Sequence, residues 1–508
     1  MDIKIKLNIG NSVFLPILFS IIYGLSTIPL SYGDVIYVSG EVEGTWVSGD
    51  TVIVENDIFI IADTSLLIEP NVVILFTGPH YFQVYGALIA ENNLQEEHAI
   101  KFAGLDGRRW RGIRFLSDRQ NNSTIIGCDI FDVWVAIYIN GTSPTVLNNT
   151  IHALSKGIDC NNSISDIQDN YIVVGDENSS PDITGISLEN ESNVYIGGNT
   201  IIVSSAQYGR AIGIEVIESR PHIQDNWIDV KTSGEAYGIK ASESTQLNLI
   251  RNIVRTISYF QMTGAHFSNS TNISLTNNTF HLIGSSNNIS RGLMIEQGSR
   301  VTIIGNIFIG NQNSNGIESS DNSTVLPSSG YNDVWAHNNP FVGGWQGDSL
   351  TDINADPLIY NAVEDAERTN DYRLTWIIYG EDDEEKSPCI GTGSPRIGGP
   401  DMGAVPFEGE PENVSLGRIN PESFKLLEVY PNPFNSSAQV NFLVDETRTF
   451  TLDVFNYQGR TVAQLWNGVL NSGAQSFSWS PVNMASGSYY IRLQSENLSH
   501  TVGLNYIR

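Results

Sequence analysis

An asparagine that returns at a fixed place in a short apolar context constrains this chain more than any other feature. It stands in VLNNTI, IQDNYI, YIGGNTI, IQDNWI, LIRNIV, LTNNTF and IIGNIF, as Asn149, Asn170, Asn199, Asn226, Asn252, Asn278 and Asn306. The steps between them are 21, 29, 27, 26, 26 and 28 residues, and Cys128 in IIGCDIF takes the same place 21 residues before Asn149. Three residues earlier come Ile125, Val146, Ile167, Ile196, Ile223, Leu249, Leu275 and Ile303; two residues later come Ile130, Ile151, Ile172, Ile201, Ile228, Val254, Phe280 and Phe308. All sixteen positions are apolar. A second anchor is a glycine followed by an apolar residue, as in Gly112-Ile113, Gly157-Ile158, Gly185-Ile186, Gly213-Ile214, Gly238-Ile239, Gly264-Ala265, Gly292-Leu293 and Gly316-Ile317.

Such a period must be read before anything else, because it decides the fold. Each repeat alternates apolar and polar residues over a few positions, which is the side-chain periodicity of a strand. One such strand is too short to bury its apolar face alone. Stacked in parallel about 4.8 Å apart, the strands place like over like and build internal files of Ile, Leu, Val and Phe. Asparagine at the bend between strands suits a left-handed backbone, and its stacked amides are expected to hydrogen-bond along the file. The L-x-x-L-x-L core of a leucine-rich horseshoe is missing. Helical repeats are excluded because the segments between anchors are rich in β-branched residues and turn formers rather than 3.6-residue faces.

The 508 residues leave room for such an array and an accessory module. With 41% hydrophobic and 16% charged residues the chain can bury a core. A formal charge of −29 repels nucleic acid and anionic lipid, both of which require a basic patch. Ca²⁺ is the one cofactor such a surface suggests, although no calcium-binding motif is present, and none is assigned. Cys128, Cys160 and Cys389 are odd in number and far apart, which indicates neither a disulfide framework nor a zinc site. Cys160 falls on an inward position. Lys4 and Lys6 precede an apolar run from Val13 to Leu30, broken by Pro16, Gly24 and Pro29, and Ser31 to Gly33 form a small-residue exit. Residues 1–33 are therefore read as a secretory signal peptide rather than a membrane anchor.

Residues 34–407 resemble the right-handed parallel β-helix of pectate-lyase-like proteins. The resemblance rests on the repeats, on the opening VSGEVEGTWVSGDTVIVENDIFIIADTSLLIEPNVVILF, on GALIA and RRWRGIRF, and on the closing ADPLIYN, DYRLT, SPCIGTGSP and DMGAVPF. Gly391-Thr392 stands where family members commonly carry Asp-Ala; the element is expected to close the structure. Residues 408–424 (EGEPENVSLGRINPESF) read as a linker. Residues 425–508 then alternate in short strands, as in a small Ig-like β-sandwich. Within them YPNPFN (430–435), YQGR around Gly459 and SGSYYIRL (486–493) resemble the type IX secretion C-terminal sorting domain. That resemblance implies recognition by an outer-membrane export machinery, then release or surface attachment. The final HTVGLNYIR lacks the lysine-rich last strand common in that family.

The whole is thus expected to be an all-β, monomeric, exported protein. Its chemistry must come from outward residues, since a fold licenses none by itself. The position after each Gly-apolar pair faces out, which places Glu215, Lys240 and His266 on three consecutive turns of one file. These are the candidate catalytic residues: Lys240 could neutralise a uronate carboxylate and His266 could take a proton in β-elimination. Glu189 and Glu215 fall in different files, which weakens the paired-carboxylate arrangement of a glycosidase. Tyr171 and Trp227, each following its asparagine, are candidates for stacking on sugar rings. His222 reads as a turn residue, and the sequons at Asn140 and Asn272 follow from turn composition. The leading expectation is a non-catalytic polar face for glycan or cell-surface binding; the alternative is a polysaccharide lyase or glycoside hydrolase.

Overall fold

The computed structural model describes residues 33–506, apart from 93–98, 117–121, 177–180, 207, 285, 312, 321, 360–371, 380–382, 396–399, 408–411, 415–424, 431–433, 445–446, 457–459, 472, 482–483 and 496–497. Residues 1–32, within the segment read as a signal peptide, the middle of YPNPFN and most of YQGR lie outside the described residues. The chain divides into two compact units between Pro221 and His222; the first is a parallel β-solenoid, and the second holds further parallel rungs and the antiparallel C-terminal strands.

In the first unit one narrow sheet stacks Gly44–Trp46, Ser65–Ile68, Ala87–Glu91, Thr124–Ile126, Thr145–Leu147, Asp166–Gln168 and Tyr195–Gly197, all parallel. In the second unit His222–Gln224, Asn248–Ile250, Ile273–Thr276, Arg300–Ile304 and Thr324–Val325 repeat the arrangement. The strands that follow the asparagines stack in register, Ile228 on Val254, Phe280, Phe308 and Val334. All sixteen apolar positions flanking the asparagine point inward with no exposed surface, as does Cys160. Each buried aliphatic side chain contributes roughly 1.5–3 kcal/mol. Like stacks on like: the Phe280 and Phe308 rings lie 5.0 Å apart and nearly parallel.

The asparagines form a continuous ladder within each unit. Each backbone N–H donates to the side-chain Oδ1 of the next rung: Asn149 to Asn170 and Asn170 to Asn199 at 3.0 Å, then Asn226 to Asn252 at 3.1 Å, Asn252 to Asn278 at 2.9 Å and Asn278 to Asn306 at 2.8 Å. Two rungs exceed the sequence repeat, because Asn306 donates to Asn332 and Asn332 to Asp352. An acceptor-only carboxylate suits the last rung, which has no further carbonyl to reach. The left-handed residue is not the ladder asparagine, as expected from sequence, but the one before it: Asn148, Asp169, Asp225, Arg251 and Asn277 have φ between 50° and 56°. That twist turns the following asparagine inward, where its amide replaces the strand pairing lost at the corner. A second corner carries a serine ladder, Ser163–Ser192–Ser219 in the first unit and Ser244–Ser270–Ser299 in the second, with N–H to Oγ distances of 3.0–3.2 Å.

After the last rungs of the second unit the chain folds back over its outer face. Leu374, Cys389, Ile390 and Met402 pack with Ile307 and Ile309, and the Ala404 N–H donates to Thr279 Oγ1. Gly391 takes a left-handed φ of 74° and donates to Asp401, which accounts for glycine at that place. The stretch read as a linker contributes a short strand, Glu412–Val414, parallel to Trp376–Tyr379. Under this closing segment lies Asp333, fully buried, accepting from the Ala355 N–H and the Cys389 thiol. Burial, with help from nearby Asp356, pushes its carboxyl up to about 7. Since the unfolded value is about 3.9, the folded state holds a proton that the unfolded chain has lost, and stability falls as pH rises from about 4 through about 7. Buried His281 and partly buried His337 act in the other direction: desolvation lowers both to about 4, so their contribution is lost as pH falls from about 6.5 toward 4. Asp333→Asn is therefore expected to gain stability over the parent between pH 5 and 8, measured as urea midpoints; parallel pH profiles would contradict this assignment.

The C-terminal strands form two antiparallel sheets. Lys425–Tyr430, Ala438–Val444 and Gly473–Trp479 make one; Thr461–Leu470, Arg448–Asn456, Gly487–Ser495 and Leu498–Tyr506 make the other. Phe434, Val440, Phe442, Phe450, Leu452, Trp479 and Ile491 fill the space between them, giving the expected small β-sandwich.

Candidate functional site

The outward file that follows the glycine anchor runs, in the first unit, through Gln83, Arg114, Tyr138, Asp159, Ser187 and Glu215, each in register with the next. At its N-terminal rungs the surface sinks into a cleft of about 580 Å³ lined by Tyr81, Arg111, Arg114, Trp134, Tyr138 and Asp159. That volume lies within the range of small-ligand sites. The Arg114 guanidinium lies between two rings, 5.0 Å from the centre of Tyr81 and 4.7 Å from that of Tyr138. Arg111 lies 5.3 Å from the Tyr81 ring and donates to its hydroxyl at 3.0 Å. Such cation–π contacts hold a long side chain in one place while leaving its N–H groups free to donate. Trp134 is 42% exposed, a large apolar ring left in water beside them.

Charge is arranged unevenly around this cleft. Asp159 accepts from Lys156 at 3.1 Å, and Lys156 also lies 3.9 Å from Glu189. Arg109 pairs with Asp176 and Asp132. Among the described residues no carboxylate stands within ion-pair distance of Arg111 or Arg114. Two arginines thus face solvent beside aromatic rings in a chain that carries 56 acidic residues.

The residues singled out from sequence do not line this cleft. Glu215 ends the first-unit file, in register with Ser187, and Glu189 lies in the neighbouring file beside Asn161. Lys240 and His266 are in register in the second unit, where Lys240 lies 5.3 Å from the Tyr237 ring and His266 stacks on that ring at 6.0 Å. His266 Nε2 is 2.9 Å from Glu296 Oε1, while its Nδ1 is buried without a hydrogen-bond partner. Burial lowers its pKa, against the pull of Glu296. One ring nitrogen is engaged and the other covered, so neither is presented to a substrate proton. Tyr171 packs against His152 at 6.2 Å, and His152 against Phe131 at 5.0 Å, an aromatic file along the side of the first unit. Trp227 is not an open platform. Tyr372 of the closing segment meets it edge-on at 5.6 Å, and the buried guanidinium of Arg255, paired with Asp229 at 3.3 Å, lies 5.7 Å from its ring.

Residues 428–504 match the secretion system C-terminal sorting domain. The chain ends in a sorting domain. The protein is therefore exported, to the cell surface or the medium, and its C-terminal sandwich is what the secretion machinery recognises. No curated protein matches the sequence. Among solved structures the enzymatically active domain of tailspike protein 2 of bacteriophage CBA120 is similar at 11% identity and a TM-score of 0.26, over 90% of this chain and 71% of that one. Similarity at that level carries no argument about function.

Proposed function

We propose that this exported β-helix protein is a monomeric, non-catalytic binder of extracellular saccharide, and that the ligand lies in the cleft formed by Tyr81, Arg114, Tyr138 and Trp134. The observation that carries the reading is the Tyr81–Arg114–Tyr138 stack beside an exposed Trp134. Sugar rings present apolar C–H faces that pack on aromatic rings, and hydroxyls that accept from fixed guanidinium donors. The parallel sheets supply a rigid base, so little ordering cost falls on binding. Titrating the purified full chain with oligosaccharides by calorimetry is expected to show saturable binding that Trp134→Ala weakens about tenfold, corresponding to about 1.4 kcal/mol. Unchanged affinity in Trp134→Ala would place the ligand elsewhere.

The His266–Glu296 hydrogen bond beside Lys240 keeps a second reading in view, a lyase or hydrolase acting on the second unit. Incubation with uronate-containing and neutral polysaccharides separates the two. We expect neither the absorbance of unsaturated ends nor new reducing ends. Ends that form with the parent protein and vanish in Lys240→Ala would establish the enzyme instead.

A further inference from the structure

The cleft also indicates what kind of saccharide it holds. Resting on the binding role proposed above, we infer that the ligand carries an anionic group, a carboxylate or a sulfate, received by Arg114 with Arg111 beside it. The inference starts from charge placement. Five arginines outside the cleft pair with acids: Arg109 with Asp132 and Asp176, Arg210 with Asp182, Arg251 with Asp225, Arg255 with Asp229 and Arg291 with Glu318. In a chain of net charge −29 this is the expected outcome, because acids outnumber bases by 56 to 27. Arg111 and Arg114 depart from it. Arg114 lies between two tyrosine rings, which fix a guanidinium without neutralising it, while Arg111 donates to the Tyr81 hydroxyl with the Asp57 carboxylate nearby but outside ion-pair distance.

The acid nearest to hand is already engaged. Asp159 follows Tyr138 in the same outward file and lines the cleft, yet its carboxylate is held by Lys156 at 3.1 Å. The cleft therefore pairs its one lining carboxylate with a lysine and leaves two guanidinium groups open toward solvent. A planar guanidinium presents parallel N–H donors that match the two oxygens of a carboxylate or two of a sulfate. The two tyrosines flank Arg114, so a sugar whose ring packs on Trp134 would bring a charged substituent to the adjacent guanidinium. The net negative charge makes this selective, because an anionic ligand is repelled by the chain as a whole and gains only where a cationic group receives it.

The test uses the full chain and three oligosaccharides of equal length: a neutral one, one bearing carboxylates and one bearing sulfates. The anionic ligands are expected to bind at least tenfold more tightly than the neutral one, with an advantage that shrinks as salt rises. Arg114→Gln should erase that advantage, so that anionic and neutral ligands bind with equal affinity, and Arg114→Lys should restore part of it. Arg111→Gln, at an exposed position that cannot disturb the core, provides the same reading if Arg114→Gln fails to fold. Which anionic oligosaccharide binds more tightly identifies the group. Equal affinity for neutral and anionic ligands, weakened in both by Trp134→Ala, would overturn this inference and leave the saccharide cleft standing. Binding of none of the three would sink both.

Discussion

Asn278→Ala is expected to cost the second unit about 3 kcal/mol, a large effect for one polar side chain in an extracellular solenoid. Asn278 has no exposed surface. Its Oδ1 accepts from both the backbone N–H and the side-chain Nδ2 of Asn252 at 2.9 Å, and its Nδ2 donates to Leu249 O at 2.9 Å and Asn306 Oδ1 at 3.0 Å. Alanine leaves the Asn252 N–H buried without an acceptor, withdraws a donor from the Leu249 carbonyl and opens a void. An orphaned buried group costs roughly 1–3 kcal/mol before the void is counted. Asn278→Asp divides the contributions. It keeps the acceptor for Asn252 but loses both donors and sets a carboxylate against Asn306 Oδ1, so it should be more harmful at pH 7 than at pH 4. Asp352 tolerates the acid at its own rung because the ladder ends there. Urea midpoints followed by circular dichroism would check this; a parent-like midpoint for Asn278→Ala would show that the ladder is decorative.

Legibility in the sequence followed periodicity. The inward files were readable because each strand must repeat its apolar residues in register with the rung beneath, and the asparagine ladder was readable because one amide must sit over another. The reading stopped at Asn306 because the next rung places Ser329 where an aliphatic residue was expected, so Asn332 and Asp352 did not align. The serine ladder was present in the spacing of Ser163, Ser192, Ser219, Ser244, Ser270 and Ser299, but small polar residues are so common at turns that they did not stand out. The left-handed residue was misplaced by one position, since Asp, Asn, Arg and Gly all serve there and only the amide after them is constant.

The sites were harder for a different reason. Arg114 and Asp159 were visible as members of the outward file, but Tyr81, Trp134 and Tyr138 come from separate strands and turns whose convergence no period dictates. Trp227 occupied an outward position, as the alternation required, and was nevertheless covered, because Tyr372 returns from 145 positions further along the chain. Outward in a strand means away from the tube, not toward water. A closing segment can turn one stretch of outer face into a second core, and that is where Asp229, Arg255 and His281 lie.

Gly264→Ala is expected to be as damaging as loss of an asparagine, for a reason that hydropathy cannot show. A Cβ on Gly264 would stand 2.5 Å from the carbonyl oxygen of Gly292 on the next rung and 3.1 Å from the Phe280 ring. The same collision recurs along the file: Gly238 would meet Gly264 O at 2.5 Å, Gly292 would meet Gly316 O at 2.7 Å, and in the first unit Gly185 would meet Gly213 O at 2.5 Å. This is why the second anchor is glycine. Neither partner can yield, because the oxygen belongs to backbone held in a parallel ladder whose spacing is fixed at about 4.8 Å. Relief would require breaking ladder hydrogen bonds or pushing Phe280 out of its stack. The cost should reach the roughly 3 kcal/mol upper end for overpacking, read as a fall in the urea midpoint or in folded yield. Gly298→Ala supplies the contrast. Gly298 has a φ of 76° but its added Cβ would meet nothing within 4 Å, so it should lose only the cost of a left-handed alanine, about 1–2 kcal/mol. If the two variants proved equally stable, crowding against the next rung would not account for the anchor. If Gly264→Ala is the worse, as expected, the glycine file is the feature that lets successive rungs close on one another and holds the outward file beside it, including His266 two residues on, in register.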